Sequence, residues 1–180
     1  MTHSEKILDS RVVYRGRVFT ATKDTVKLEN GDVATREVAW HNGGVGILAI
    51  DNQNNILLVR QFRYAHGKVL LEIPAGRLEI NEDPAECAIR ELEEETGYHA
   101  QNVELLAKVY PTPGYVSEVL HIYTAHNLIP TSQNLDPGEF LTFIKLPFDK
   151  ALEMCLSGDI KDGKTLVAIL KYSLLKRINS

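Results

Sequence analysis

The sequence predicts an α/β fold in which a mixed sheet is flanked by helices and preceded by a β extension. Three observations lead to this expectation. Short apolar runs separated by turn sequences fill the first part of the chain, and this pattern indicates a series of short β-strands. A helical segment with clear start and stop signals follows, and two further helical segments close the chain. This order of elements is typical of layered domains built around one core.

The composition indicates one globular domain with at most a small appendage. The 180 residues are 44% hydrophobic and 24% charged, which is ordinary for a single core. The net charge of -4 and the lack of a Lys/Arg run argue against nucleic-acid binding. No apolar run has the length of a membrane span or the character of an export signal. We expect Cys87 and Cys155 to be reduced thiols in a cytoplasmic protein.

The first part of the chain is predicted to be antiparallel β structure. Strand-like segments cover residues 12–14, 19–28 and 33–41, and Asn30-Gly31 between the last two favours a type I′ turn. Asn42-Gly43-Gly44 then breaks the pattern. We therefore assign residues 1–42 to an N-terminal β extension and residues 43–180 to the main domain.

The main domain is predicted to alternate between strands and helices. The expected strands cover residues 45–50, 56–63, 69–73, 103–109, 119–128 and 140–146, and the expected closing helices cover 148–156 and 164–177. We expect residues 161–164 to cap or begin the last helix and to do nothing more.

A helix is predicted between Asp83 and Gly97. Asp83 is a suitable N-cap, Pro84 suits the first helical position, and Gly97 is a natural stop. Because a helix advances about 100° per residue, its three glutamates and its apolar positions should lie on opposite sides. The expected acidic side carries Glu91, Glu94 and Glu95, and the expected apolar side carries Ala85, Ile89, Leu92 and Thr96.

Three clustered carboxylates predict a cation site. Like charges on one helix face repel unless a positive charge lies among them. Oxygen-only sites suit hard divalent ions such as Mg²⁺. The carboxylates Glu91, Glu94 and Glu95 therefore predict a metal site in a protein that handles phosphate.

The segment from Gly76 to Tyr98 resembles the Nudix box, G-x5-E-x7-R-E-U-x-E-E-x-G-U, where U is a bulky apolar residue. The matching positions are Gly76, Glu82, Arg90, Glu91, Leu92, Glu94, Glu95 and Gly97. Tyr98 at the last apolar position is a mild variation. A merely solvated acidic helix face would not require Gly76, Arg90 and Gly97 at these spacings.

The resemblance implies a Nudix α/β/α sandwich and hydrolysis of a nucleoside diphosphate linked to another group. It implies that Glu91 and Glu95 bind Mg²⁺, with Mn²⁺ as a substitute, and that Glu94 is a ligand or holds a water. The Ala75 carbonyl would supply a further oxygen. The resemblance also implies that Arg90 pairs with Glu82 or with a glutamate of the helix and orients it. A guanidinium among carboxylates is chemically suited to this role.

Flanking segments resemble the branch of the family that hydrolyses ADP-ribose and ADP-sugars. These segments are residues 57–63 with 71–76, residues 110–114 with Glu118, and residues 35–38 with 41–45. Pro113 belongs to the second of them and is, by this resemblance, a candidate for substrate binding. The resemblance implies AMP and ribose 5-phosphate as products, and a homodimer in which the N-terminal sheet is commonly exchanged between protomers.

Four further residues outside the box are candidates for substrate binding or proton transfer, each with an alternative. Arg36 and Arg63 would hold the diphosphate or the terminal ribose, or else form surface salt bridges. Glu118 would activate or position water, or else be a solvated loop carboxylate. Phe19 would stack on adenine, or else fill a core.

Other functions remain open at the level of sequence. One is a Nudix pyrophosphatase for another sugar nucleotide, such as GDP-mannose or UDP-glucose. Another is a nucleotide-binding module without catalysis, although Glu91, Glu94 and Glu95 are all present. The last is a purely structural or interaction protein.

Overall fold

The computed structural model describes residues 3–178, which fall into two compact units. The first unit comprises the chain up to Gly43 together with Tyr110–Val119. The second unit comprises Gly44–Val109 and the chain from Leu120 onward. From the sequence we assigned only residues 1–42 to the extension, and no sequence feature indicated that Tyr110–Val119 groups with it.

The first unit contains a three-stranded antiparallel sheet in the order β1-β2-β3. Its strands are β1 (Lys6–Arg15), β2 (Thr20–Lys27) and β3 (Val33–Trp40). In β2 every second residue from Thr22 to Val26 is buried. All ten residues of β1 are exposed, so this edge strand lacks the alternation that would have revealed its full length in the sequence.

The turn between β2 and β3 differs from the type I′ turn that we predicted. A type I′ turn needs positive φ at both central residues, and here Gly31 alone has it, with φ 92°. The Gly31 N–H donates to the Leu28 carbonyl at 3.0 Å. Asn30 is held by its own side chain, whose Oδ1 accepts from the Asp32 N–H at 3.1 Å. This Asx contact stabilises the alternative turn.

The second unit contains nine strands, three α-helices and a short 3₁₀ helix at Tyr64–His66 within the described residues. The strands are β4 (Gly44–Ala49), β5 (Asn55–Arg63), β6 (Lys68–Glu72), β7 (Ala75–Arg77), β8 (Tyr98–His99), β9 (Val103–Val109), β10 (Leu120–Ala125), β11 (Ile129–Pro130) and β12 (Leu141–Pro147). The helices are α1 (Pro84–Thr96), α2 (Phe148–Ser157) and α3 (Gly163–Ile178). None of the helices in residues 3–178 has the length and hydropathy needed to cross a bilayer.

The strands of the second unit form three sheets. The central sheet has the order β7-β4-β10-β9, with β4 parallel to β10 and antiparallel pairs on either side. A second sheet has the antiparallel order β12-β5-β6, and β8 pairs with β11. The mixed sheet expected from the sequence is therefore present.

Helices pack on both faces of this sheet arrangement. In β4, Val45 and Ile47 belong to the core shared with Leu92 of α1. Leu48 of the same strand belongs to a second core with Phe148 of α2 and residues of α3. Alternate residues of a strand point to opposite faces, so α1 lies on one side and α2 and α3 on the other. The predicted α/β fold is confirmed.

Helix α1 begins and ends where the sequence predicted. The Asp83 carboxylate accepts from the N–H groups of Ala85 and Glu86 at 2.8 and 3.3 Å. At the other end Gly97 has φ 70°, and a Cβ there would lie 2.9 Å from the Gln133 nitrogen. The segment after β11 thus approaches the helix end closely, and only glycine satisfies both requirements.

Replacement of Gly97 by alanine should destabilise the protein more than the same change at Gly158. Both glycines have positive φ, but a Cβ at Gly158 would meet nothing within 4 Å. Both variants lose about 1 kcal/mol for the left-handed backbone, and Gly97→Ala should lose about 1–2 kcal/mol more through the clash. The free energy of unfolding from urea titrations measures the difference. Equal losses would show that the contact with Gln133 has no energetic role.

Candidate active site

One of the three glutamates, Glu95, lies on the buried face of α1. Glu95 is 1% exposed, and it shares this face with Leu92 and Ala88. Ile89, which we placed on the packed side, is only half-buried and lines a surface groove with Glu94. The expected placement of the glutamates and the apolar positions on opposite sides is therefore wrong for Glu95, which is buried with Leu92, and for Ile89, which lines the same groove as Glu94.

Strand β7 lies directly against these carboxylates. The Ala75 N–H donates to Glu95 Oε2 at 3.0 Å. A Cβ at Gly76 would overlap the carboxylate of Glu91. Gly76 is thus required because its backbone and a carboxylate share the space that a side chain would fill.

Arg90 binds three glutamates at once. Its Nε and Nη2 donate to the two oxygens of Glu82 at 2.9 and 3.2 Å. Its Nη1 donates to Glu91 at 2.8 Å and to Glu94 at 3.0 Å. Burial opposes the charge of Arg90, but these carboxylates outweigh burial and raise its pKa. Arg90 therefore stays charged and fixes the orientation of its partners.

The site holds more negative charge than its cations balance. Burial raises the pKa of Glu95 to about 8; the Ala75 N–H opposes the shift, and the charges of Glu91 and Glu139 add to it. Burial also raises the pKa of Glu91 to about 6, although Arg90 opposes this. Each raised pKa means that the ionised carboxylate is disfavoured where it lies. A bound cation would relieve this cost.

The donor chemistry fits a divalent metal, although the side chains are not gathered into a ligand cage. Within residues 3–178 no three His, Cys, Asp or Glu side chains converge with metal-binding geometry. Glu91 and Glu94 turn toward Arg90, and Glu95 turns toward the Ala75 N–H. Carboxylate oxygens beside a strand backbone that no side chain covers are the ligands that hard divalent ions prefer.

Glu139 is a candidate that sequence reasoning missed. Its charge raises the pKa of both Glu91 and Glu95, so it acts on the same site. It ends a turn closed by the bond from its N–H to the Asp136 carbonyl at 2.9 Å, and Gln61 Nε2 donates to its Oε1 at 3.1 Å. The signal was available, because Glu139 directly follows Pro137-Gly138, and Glu118 was singled out in a loop that also contains a Pro-Gly pair, Pro113-Gly114.

Arg63 lies at the end of β5 and acts electrostatically on Glu95. Its Nε and Nη2 each donate to one oxygen of Glu72 at 2.7 Å. Glu72 is buried, whereas the Arg63 side chain is 38% exposed. The pair therefore differs from the surface salt bridge that was the alternative reading of Arg63.

The remaining candidates lie in the first unit. Arg36 pairs with Glu5 on the exposed sheet surface, with an Nη2–Oε1 distance of 2.5 Å. Phe19 contacts Tyr14 with ring centroids 5.5 Å apart. Arg36 and Phe19 are therefore not among the residues gathered in the second unit. The candidates that the structure brings together there are Ala75, Glu82, Arg90, Glu91, Glu94, Glu95 and Arg63.

Glu118 and Pro113 lie in the loop Tyr110–Val119 of the first unit. Glu118 Oε1 is 3.5 Å from His41 Nδ1. Pro113 lies within a turn in which the N–H groups of Tyr115 and Val116 donate to the Thr112 carbonyl. Both belong to a unit other than that of α1, and their roles stay predictions.

Comparison with known proteins identifies two matching family models. Residues 40–166 match the NUDIX domain, and residues 5–39 match the nucleoside diphosphate sugar hydrolase N-terminal domain. The first match covers well over half of the chain and includes every glutamate of the site.

Individual relatives and a solved structure agree with these models. A methanol dehydrogenase activator of Bacillus methanolicus is 40% identical, covering 92% of this chain and 90% of that protein. An ADP-ribose pyrophosphatase of Bacillus subtilis (strain 168) is 36% identical, covering 96% and 94%. The crystal structure of an ADP compounds hydrolase has the same fold, with a TM-score of 0.88 at 24% identity over 100% of this chain and 98% of that one. The chain therefore belongs to the family of NUDIX hydrolases, as the residues between Gly76 and Tyr98 predicted.

Proposed function

We propose that this protein hydrolyses the diphosphate bond of ADP-ribose or a related ADP-sugar, and that ADP-ribose yields AMP and ribose 5-phosphate. The observation that carries the proposal is the set of buried, mutually repelling glutamates against the bare backbone at Gly76. The Bacillus subtilis relative, similar over nearly the full length of both chains, supports ADP-ribose as the substrate.

The proposed cofactor is Mg²⁺, with Mn²⁺ as a substitute. Glu91, Glu95 and the Ala75 carbonyl would hold it, and Glu94 would be a further ligand or would hold a water. The ion would supply charge neutralisation at the phosphoryl oxygens and a lowered pKa of bound water.

The protein's own residues would position the substrate and move the proton. Arg90 keeps Glu91 and Glu94 oriented through its three carboxylate partners. Arg63 and Arg36 would bind the diphosphate or terminal ribose, since a guanidinium offers paired donors to such oxygens. Phe19 would stack on the adenine, and Pro113 would shape the loop that carries Glu118.

Two carboxylates compete for the role of general base. Glu118 is the residue that the family resemblance suggested, and it faces His41. Glu139 is supported by its electrostatic coupling to Glu91 and Glu95. We favour Glu139 as the group that accepts the proton of the attacking water, because its charge acts directly on the candidate metal ligands.

We further propose a cytoplasmic homodimer that forms through the first unit. Its edge strand β1 exposes five large apolar side chains, which are Ile7, Leu8, Val12, Val13 and Tyr14. An edge strand with exposed apolar residues is available for pairing with another copy. Both cysteines are free and buried, which is usual for proteins of reducing compartments.

A substrate panel tests the proposed activity. Purified protein with Mg²⁺ should release AMP from ADP-ribose faster than from ADP-glucose, NADH or diadenosine polyphosphates, and faster than monophosphate is released from GDP-mannose or UDP-glucose. Chromatography of the nucleotides measures each rate. Fastest turnover of GDP-mannose would assign the protein to that sugar nucleotide instead, and no turnover of any compound would sink the enzymatic proposal.

Paired substitutions should identify the general base. If Glu139 accepts the proton, Glu139→Gln should lower kcat by about 10²–10⁴-fold, whereas Glu118→Gln should leave kcat within about tenfold. The glutamine keeps the size of the side chain, and circular dichroism checks the fold of each variant. The reverse ranking of the two variants would transfer the role to Glu118.

The raised pKa of Glu95 should make stability depend on pH and metal. The folded protein holds the Glu95 proton up to about pH 8, while the ordinary pKa is 4.5. Folding therefore favours the protonated form, so this contribution is fully present below about pH 4.5 and is lost as pH rises through about 8. Each pKa unit corresponds to about 1.4 kcal/mol, so the loss should amount to a few kcal/mol.

Urea unfolding in EDTA from about pH 5 to pH 8 measures this loss. Glu95→Gln should flatten the dependence, and millimolar Mg²⁺ should offset the loss in the wild-type protein by binding the ionised form. Glu86→Gln is the matched control, because Glu86 is an exposed glutamate of the same helix. An unchanged pH profile in Glu95→Gln would mean that Glu95 carries no such proton.

A further inference from the structure

A chain of four alternating charges links the start of α3 to the ends of β5 and β6. At the start of α3, Lys164 Nζ donates to Asp162 Oδ1 at 3.1 Å and also to Glu72 Oε2. Glu72 in turn accepts both hydrogen bonds from Arg63. The order is Asp162, Lys164, Glu72, Arg63, and the charges cancel. We expected residues 161–164 to cap or begin the last helix and to do nothing more. Asp162 does cap the helix, but Lys164 also reaches a buried carboxylate 92 residues away.

The inner members of this chain are buried and charged. The side chains of Glu72 and Lys164 are 2% and 10% exposed. Burial alone would raise the pKa of Glu72, but the hydrogen bonds from Arg63 and the charge of Lys164 outweigh it and hold the pKa below its ordinary value. Glu72 therefore stays ionised because two cations face it. If one of the two cationic side chains is lost, part of the negative charge of the buried carboxylate has no compensating positive charge.

A second set of contacts fixes the strand end that carries Glu72. Asp162 caps α3 by accepting from the Thr165 N–H at 3.0 Å and from its hydroxyl at 2.5 Å. The Thr165 hydroxyl oxygen also accepts from the Ile73 N–H at 2.9 Å. Ile73 lies between Glu72 and Ala75, so α3 anchors the backbone that leads into the carboxylate site.

Arg63 is the member of the chain whose charge acts on the site. Its bonds to Glu72 use Nε and Nη2, so the guanidinium plane is fixed while Nη1 lies outside this pair. Its side chain is the most exposed of the Glu72 contacts, and its charge acts on Glu95. A guanidinium held on one edge by a carboxylate presents the other edge in a defined direction.

We propose that Lys164 is a positioning residue that acts through Glu72 to orient Arg63 toward the diphosphate of the substrate. The proposal rests on the proposed function. Lys164 compensates half of the negative charge of Glu72. The carboxylate therefore holds Arg63 in place without neutralising the positive charge of its guanidinium. Without Lys164, Glu72 would be held by Arg63 alone, so the carboxylate and the guanidinium bound to it would be less fixed in position.

The test compares Lys164→Gln with Lys164→Arg in steady-state kinetics with ADP-ribose. Lys164→Gln should raise KM about tenfold, the scale of one charge-assisted hydrogen bond, while kcat stays within about threefold. Lys164→Arg keeps the cation and should restore KM to within about threefold of wild type. Lys150→Gln is the control, because Lys150 is an exposed lysine of α2 that pairs with Glu153. A wild-type KM in Lys164→Gln would overturn the proposal.

A second background separates positioning from a general structural effect. In Arg63→Gln, the further change Lys164→Gln should alter kcat/KM by less than about twofold, because the residue through which Lys164 acts is gone. If Lys164→Gln only weakened the fold, it would lower kcat/KM by the same factor in the wild-type protein and in Arg63→Gln. A full tenfold loss on top of Arg63→Gln would overturn the proposal. If Lys164→Gln folds poorly, Lys164→Met keeps the aliphatic stem and replaces it in both comparisons.

Two readouts do not require turnover. Calorimetric titration with ADP should show about tenfold weaker binding to Lys164→Gln than to wild type. The Arg63 Nε–H resonance should move and exchange faster with solvent, since its carboxylate partner is less fixed. If the wild-type protein hydrolyses no compound of the panel but both signals change, the proposed function fails and the positioning role stands. If neither changes, the positioning role fails by itself.

Discussion

The close approach between strand β7 and the carboxylates of α1 is the constraint on which the rest of the site depends. Glu91 occupies the space that a side chain at Gly76 would fill, and Glu95 accepts a backbone hydrogen bond from Ala75. This packing buries acidic groups that water would otherwise solvate, and their raised pKa values express the cost. The protein tolerates this free-energy cost because Arg90 compensates part of the negative charge. The negative charge that remains uncompensated suits a bound cation.

The sequence predicted those parts of the molecule whose signals are local. The bounds of α1 followed from Asp83 and Gly97, and β9 has the predicted range because its pattern is continuous. Strands of two or three residues, such as β7, β8 and β11, were missed because no periodicity exists over so few positions. The extent of β1 was missed because none of its residues is buried.

The same distinction applies to the candidate site. Glu91, Glu94 and Glu95 could be predicted as candidates because one helix spaces them, and Arg90 could be predicted with them. The pairing of Lys164 with Glu72 is invisible in the sequence, since it joins residues 92 positions apart that only the packing of α3 brings together. Glu139 was missed although it carries a turn signal, because its importance comes from its charge acting on Glu91 and Glu95.

The segment after β11 shares its anchor with the helix that carries the glutamates. The Thr131 N–H donates to the Gly97 carbonyl at 2.7 Å, the Asn134 N–H donates to that of Glu94 at 3.0 Å, and the Gln133 side chain donates to that of Glu95 at 2.6 Å. The last turn of α1 thus has its free carbonyls satisfied by the stretch that leads to Glu139. If this stretch is released, the last turn of α1 loses the same hydrogen bonds and frays with it. A movement of Glu139 that begins at these hydrogen bonds therefore also loosens the helix end that carries Glu94 and Glu95.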